Sequence, residues 1–183
     1  PLAGCAGLFG DGDGTPGDGT DTWTPPPTIE RSESDTETPT AVPGPFDSVT
    51  DLTDVGADPT GETPIGDVVK DAAGGEELLY LPSGEYLIDD QIDVADVDRF
   101  GLVGEEATLV PTDDVGSTLF FVSADGPVFL RSVAFDFTAD GVVSRAIDAR
   151  APDGLDIRDV AVRGRLDGGR GPVRVDVRSD GGR

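Results

Sequence analysis

The chain of 183 residues contains no histidine, no asparagine and no methionine, a single lysine, Lys70, and a single cysteine, Cys5. Each absence closes a class of function. Without imidazole there is no His-based acid–base catalysis and no His-ligated metal centre. Without asparagine there is no acceptor for N-linked glycosylation. One cysteine excludes an intramolecular disulfide framework. No apolar run approaches the roughly 20 residues that a helix needs to cross a bilayer. Basic residues are scarce as well: 13 Lys and Arg stand against 37 Asp and Glu, a net charge of −24. So acidic a chain offers no broad basic surface for phosphate backbones, and no nucleic-acid partner is expected.

The length allows one ordinary domain plus a tail. Dense carboxylates with almost no lysine keep a protein hydrated where concentrated salt screens its self-repulsion. In this the composition resembles that of haloarchaeal proteins. It also lowers the value of any single aspartate as a functional clue.

The amino terminus reads as an address. Leu2-Ala3-Gly4-Cys5 resembles the lipobox of secreted lipoproteins, in which the cysteine thiol takes the lipid. Residues 1–9 are therefore expected to be the remnant of a signal peptide, with Cys5 as lipidation site and membrane anchor of an extracellular, cell-surface lipoprotein. Residues 10–46 are rich in Gly, Asp, Thr and Pro, with Pro25-Pro26-Pro27 and Thr36-Glu37-Thr38-Pro39-Thr40. Such a stretch cannot bury a core and is expected to be a disordered, self-repelling linker. Residues 47–183 are expected to fold, as the opening part of a longer, truncated structure.

That part repeats. Residues 117–137 align without a gap over residues 144–164, an offset of 27. Phe120 falls over Ile147, Val128 over Leu155, Leu130 over Ile157, Arg131 over Arg158, and Phe135 over Val162. Inside each copy apolar residues alternate, as in Val133-x-Phe135-x-Phe137, which marks short strands with one face inward. Phe100 to Val110 reads as an earlier, less regular copy, and Val173, Val175 and Val177 begin a later one. Short strands at a fixed period, with Gly/Asp/Pro corners, describe coils of a parallel β-helix stacked about 4.8 Å apart. An antiparallel sandwich also has many short strands, but it does not explain a gapless period.

The segment before the coils carries two motifs. Gly56-Ala57-Asp58-Pro59-Thr60-Gly61 precedes a helical pattern over 65–73, and Leu81-Pro82-Ser83-Gly84-Glu85-Tyr86 ends one strand and opens another. Together they resemble the opening segment of the pectate-lyase/polygalacturonase superfamily. The resemblance implies an all-β, right-handed parallel β-helix with a short capping helix at its amino-terminal end. It also implies action on polysaccharides along one face, by lyases that pair Arg with bound Ca²⁺ or by hydrolases that pair carboxylates. The polygalacturonase pattern of Asn-Thr-Asp and Gly-His-Gly is absent.

Candidate chemistry is sparse. Arg131, Asp136, Asp156 and Arg158 sit at outward positions of the repeat and are weak candidates for binding an acidic sugar or Ca²⁺; no catalytic residue is assigned. Asp148 and Asp159 lie nearby in the pattern, and the same residues also suit a solvated face whose charges offset one another. Asp11, Asp13 and Asp18 form a loose acidic run without the spacing of a calcium loop. The expectation is a surface-anchored β-helix that acts on polysaccharide, with catalytic coils beyond Arg183. The alternative is a non-catalytic adhesin, glycan-binding or cell-envelope protein.

Overall fold

The computed structural model describes residues 44–113, 115, 118–139, 145–164 and 171–177. Cys5, the acidic run of Asp11, Asp13 and Asp18, and nearly all of the expected linker lie outside them. Strands β1 (Ser48–Asp51) and β2 (Thr60–Pro64) flank the Gly-Ala-Asp-Pro-Thr-Gly turn and lead into one short helix, α1 (Gly66–Ala72). The next coil holds β3 (Glu77–Leu81), β4 (Gly84–Ile88) and β5 (Ile92–Val97). Strands β6 (Phe100–Pro111) and β7 (Thr118–Ala124) form the third, and β8 (Val128–Phe137) and β9 (Arg145–Arg150) the fourth. Strands β10 (Leu155–Arg158), β11 (Ala161–Gly164) and β12 (Val173–Asp176) come last.

Every strand pair among the described residues is parallel. Because β6 and β8 bend at a corner, each serves two faces. The first face stacks β1, β3, the leading half of β6, the leading half of β8, and β10. The second stacks β2, β4, the trailing halves of β6 and β8, and β11. The third stacks β5, β7, β9 and β12. This is a parallel β-helix of about four turns, and the sandwich alternative falls with the parallel pairing.

The period of 27 is the observed register: Val128 pairs with Leu155, Leu130 with Ile157, Phe135 with Val162 and Phe120 with Ile147. The irregular copy has a local cause. Gly104, Glu105 and Glu106 of β6 turn the corner that Ser132 of β8 turns alone, so the offset changes from 28 before the corner to 26 after it. Glu106, Ser132 and Asp159 occupy this corner on successive coils with φ of 52°, 55° and 53°. That is the left-handed region, where a side chain costs about 1 kcal/mol or more.

Inward residues build apolar ladders. Leu79, Leu102, Leu130 and Ile157 form one on the first face. Tyr86, Leu109, Phe135 and Val162 form one on the second, and Ile92, Phe120, Ile147 and Val173 one on the third. Burying one such side chain stabilises by about 1.5–3 kcal/mol. The two ends differ. At the amino-terminal end α1 lies across the ladders and buries Ile65 and Val69, as a capping helix should. At the other end Leu155, Ile157 and Val162 are only partly covered, and Val173 and Val175 are 38% and 53% exposed.

The opening motif has a physical basis in Asp58. Its carboxylate accepts the Thr60 N–H at 2.9 Å, the Glu62 N–H at 3.2 Å and the Thr63 N–H at 2.9 Å, which pins the turn between β1 and β2. Gly56 and Gly61 take positive φ, 110° and 75°, a conformation open to glycine. Phe46, the last residue of the stretch whose composition reads as linker, is buried. Its ring lies against Gly101, where a Cβ would come within 2.5 Å, and meets Phe129 edge-on at 5.6 Å. The chain thus crosses the outside of the first face before β1 begins.

Outward residues obey a rule that composition hides. In no described register pair does a carboxylate residue sit directly over another. Glu85 lies between Thr60 and Thr108, Phe121 separates Asp93 from Asp148, and Asp136 and Asp176 lie over Arg163 and Arg150. Like charges stacked on adjacent strands destabilise a sheet. Here the register keeps them apart.

Candidate functional site in the arginine-rich coils

Charge is not evenly distributed along this chain. Residues 145–183 hold nine arginines against seven aspartates, net +2, whereas residues 1–144 hold four bases against 30 acids, net −26. The period of the fold turns this asymmetry into clusters, because residues one coil apart become neighbours.

One cluster lies on the first face. Arg131 of β8 stacks under Arg158 of β10, and the like charges are reconciled by Asp156, two residues before Arg158 on the same strand. Arg131 donates an Nη2 hydrogen bond to Asp156 Oδ2, and Arg158 Nε lies 2.6 Å from Oδ1, an ion pair without hydrogen-bond alignment. The Arg131 guanidinium also covers the Phe129 ring, 5.2 Å from its centroid. Hydrogen bonding from Arg131 holds the Asp156 carboxyl below the usual aspartate range, reinforced by the charge of Arg158. Three of the four residues expected here therefore do meet. The fourth does not join them: Asp136 lies past the Ser132 corner, on the second face, in register with Arg163. Its carboxylate accepts the Thr138 N–H at 2.8 Å, and bonding to Thr138 lowers its pKa.

The second cluster, on the third face, escaped the sequence reading as a group. Asp148 of β9 is 5% exposed although it points outward. Its Oδ2 accepts from Arg145 Nη1 at 3.1 Å and from Arg174 Nη1 of β12 at 3.4 Å, and Arg150 Nε lies 3.8 Å from Oδ1. Arg145 Nε donates to the Gly171 carbonyl at 3.2 Å, and Arg150 covers the Phe121 ring at 4.9 Å. A buried carboxylate needs such compensation, since an uncompensated charge there costs several kcal/mol, roughly 3–5. The signal was present in the sequence: Arg174 falls 26 residues after Asp148, one coil on. It does not stand out there because this offset departs from the gapless period of 27, and the later copy is marked only by its alternating valines.

Beside this cluster a cavity of about 290 Å³ opens at the ends of β7, β9 and β12, lined by Ser123, Asp125, Arg150, Pro152 and Asp176 among others. A second hollow of about 380 Å³ lies at the cap, between α1 and the start of β5, lined by Asp67, Lys70, Asp89 and Asp90. There Lys70 pairs with Asp67 at 2.9 Å, and that bond raises the lysine pKa. Among the described residues no group of three or more Asp, Glu or Cys converges as a metal site would require. No helix among them is long and apolar enough to cross a membrane.

No family model, no curated protein and no solved structure matches the chain.

Proposed function

We propose that this protein is a cell-surface β-helix, anchored through Cys5, that binds an acidic polysaccharide along its arginine-rich coils. One observation carries the reading: a chain of net charge −24 gathers nine of its 13 bases into its last 39 residues, and five of them, Arg145, Arg150, Arg158, Arg163 and Arg174, lie on the described strands β9 to β12. On a surface otherwise dense in carboxylates, an anionic polymer finds clustered guanidinium donors there, at the contact distances over which charge still acts in concentrated salt. The exposed part of each guanidinium supplies paired N–H donors for carboxylate or sulfate groups of the polymer. Phe121 and Phe129, one under each cluster, give those arginines a flat support. The resemblance of the opening segment to the pectate-lyase/polygalacturonase superfamily supports a polysaccharide partner, and the acidic, lysine-poor composition supports a high-salt setting.

Binding is favoured over cleavage in the described coils by the state of Asp156. A general acid for glycoside hydrolysis needs a raised pKa, and the arginines push this carboxyl the other way. The test is retention on acidic and neutral polysaccharides in concentrated salt, for the wild-type chain and for Arg150→Ala with Arg158→Ala. Retention on acidic polymers alone, weakened at least tenfold in the double variant, is expected. Equal retention on neutral polymers, or none on either, overturns the proposal. Release of reducing or unsaturated ends would instead favour the catalytic reading of a lyase or hydrolase.

A further inference from the structure

The segment Gly44-Pro45-Phe46, just ahead of β1, crosses the first face beside the Arg131 cluster. We infer that this segment is a brace: it fixes the ring of Phe129, and the ring in turn sets the plane of the Arg131 guanidinium. Phe46 and Phe129 are thereby positioning residues for that arginine. The brace stands on packing among the described residues; its consequence for an acidic polymer rests on the proposed polymer binding.

Two residues of the segment touch the one ring. Gly101 pairs with Phe129 on the next coil and leaves a space where a side chain would stand. The Phe46 ring fills it, since a Cβ at position 101 would come within 2.5 Å of Phe46 Cζ. From there Phe46 meets Phe129 at 5.6 Å between centroids and 80° between planes, an arrangement that aromatic pairs prefer. Gly44 reaches the tip of the same ring. Its φ is 84°, and a Cβ there would come within 2.8 Å of Phe129 Cζ, so glycine is what lets the backbone pass so near. The segment is itself held down. Arg99 Nη1 donates to the Pro45 carbonyl at 2.5 Å, and the Asp47 N–H donates to the Glu76 carbonyl at 3.1 Å.

Arg131 depends on this ring more than its ion pair suggests. Among the described residues its guanidinium makes one hydrogen bond, from Nη2 to Asp156, and its Nε is buried without a hydrogen-bond partner. A single bond leaves a planar group free to turn about it. The Phe129 face, with its centroid 5.2 Å from Arg131 Cζ, supplies the second restraint. A guanidinium already held in one plane loses less freedom when an anion binds its exposed N–H groups. Arg150 provides the contrast: it covers Phe121 at 4.9 Å, but among the described residues no second aromatic ring meets Phe121.

The experiment is nitrogen–proton NMR of the arginine Nε–H groups in the full chain, in concentrated salt, for the wild type, Phe46→Ala and Gly44→Ala. In the wild type the Arg131 Nε–H should carry a ring-current shift from Phe129 and exchange slowly with solvent. In both variants the shift should shrink and exchange should quicken about two- to fivefold, the factor that a contact of this kind is worth. The Arg150 Nε–H should stay as it was. Gly44→Ala removes no packing, so it reads the brace even if Phe46→Ala does not fold. An Arg131 signal unmoved in Gly44→Ala overturns the inference. A change that Arg150 shares also overturns it, because the role of the segment would then be general stability. Retention on immobilised polygalacturonate separates the inference from the binding it rests on. A loosened Arg131 signal with retention weakened by a similar factor supports both, whereas a loosened signal with unchanged retention keeps the brace and overturns polymer binding at this cluster.

Discussion

Leu130 and Ile157 are consecutive rungs of one ladder, and truncating each to alanine tests both the register and the open end. Leu130 is 2% exposed, with Leu102 on one side and Ile157 on the other. Removing its isopropyl group loses burial and leaves a cavity between two coils that cannot collapse independently, a cost of about 3 kcal/mol. Ile157 is only partly covered and has a single rung beside it. Part of its side chain meets solvent, and water can fill the space it vacates, so its loss costs about 1 kcal/mol. For a chain of this size each kcal/mol lowers the melting temperature by about 2–4 °C. Leu130→Ala should therefore melt about 6–12 °C below the wild type, and Ile157→Ala about 2–4 °C below it. Thermal unfolding followed by circular dichroism, in concentrated salt and at low protein concentration, reads both values. Equal shifts would refute the reasoning, because they would mean that the last coil is as well covered as the fourth. Two negligible shifts would refute the register itself.

Two further outcomes follow from the corner and from the buried phenols. Ser132 holds φ at 55° and is exposed, so Ser132→Val should destabilise by about 1–2 kcal/mol although it removes no packing, whereas Ser132→Asn should be neutral or better; chemical denaturation showing no loss for valine would count against a left-handed corner. Tyr86 is buried, donates its hydroxyl to the Pro82 carbonyl at 2.9 Å, and has its pKa pushed up to about 12, chiefly by burial. A phenol whose pKa is higher folded than unfolded contributes stability that is complete below about pH 10 and lost as pH rises through about 12. Stability measured against pH should fall across that window, and less steeply in Tyr86→Phe; a wild-type curve flat through pH 12 would contradict this.

The sequence by itself determined the solenoid. A period of 27 with inward alternation fixes which residues stack, since shifting a strand by one residue would turn Leu130 and Phe135 to solvent. It also determined the turn at Asp58 and the capping helix, because both depend on local hydrogen bonds and glycine conformation. Outward side chains were harder to read. Arg131, Asp156 and Arg158 were legible because they fall in the clearest copy of the repeat. Asp136 lies within five residues of Arg131 in sequence, yet the Ser132 corner turns it to another face, and no periodicity announces a corner.

Only the tertiary structure decided the rest. It brought Arg174 to Asp148, from the next coil, and so set three arginines around one buried carboxylate, from residues that read separately as surface charge. It also showed that Ile157, as inward as Leu130 by pattern, is less completely covered. Burial is a property of the neighbouring coil as well as of the residue, and the pattern of one strand holds no information about whether another strand lies on top of it.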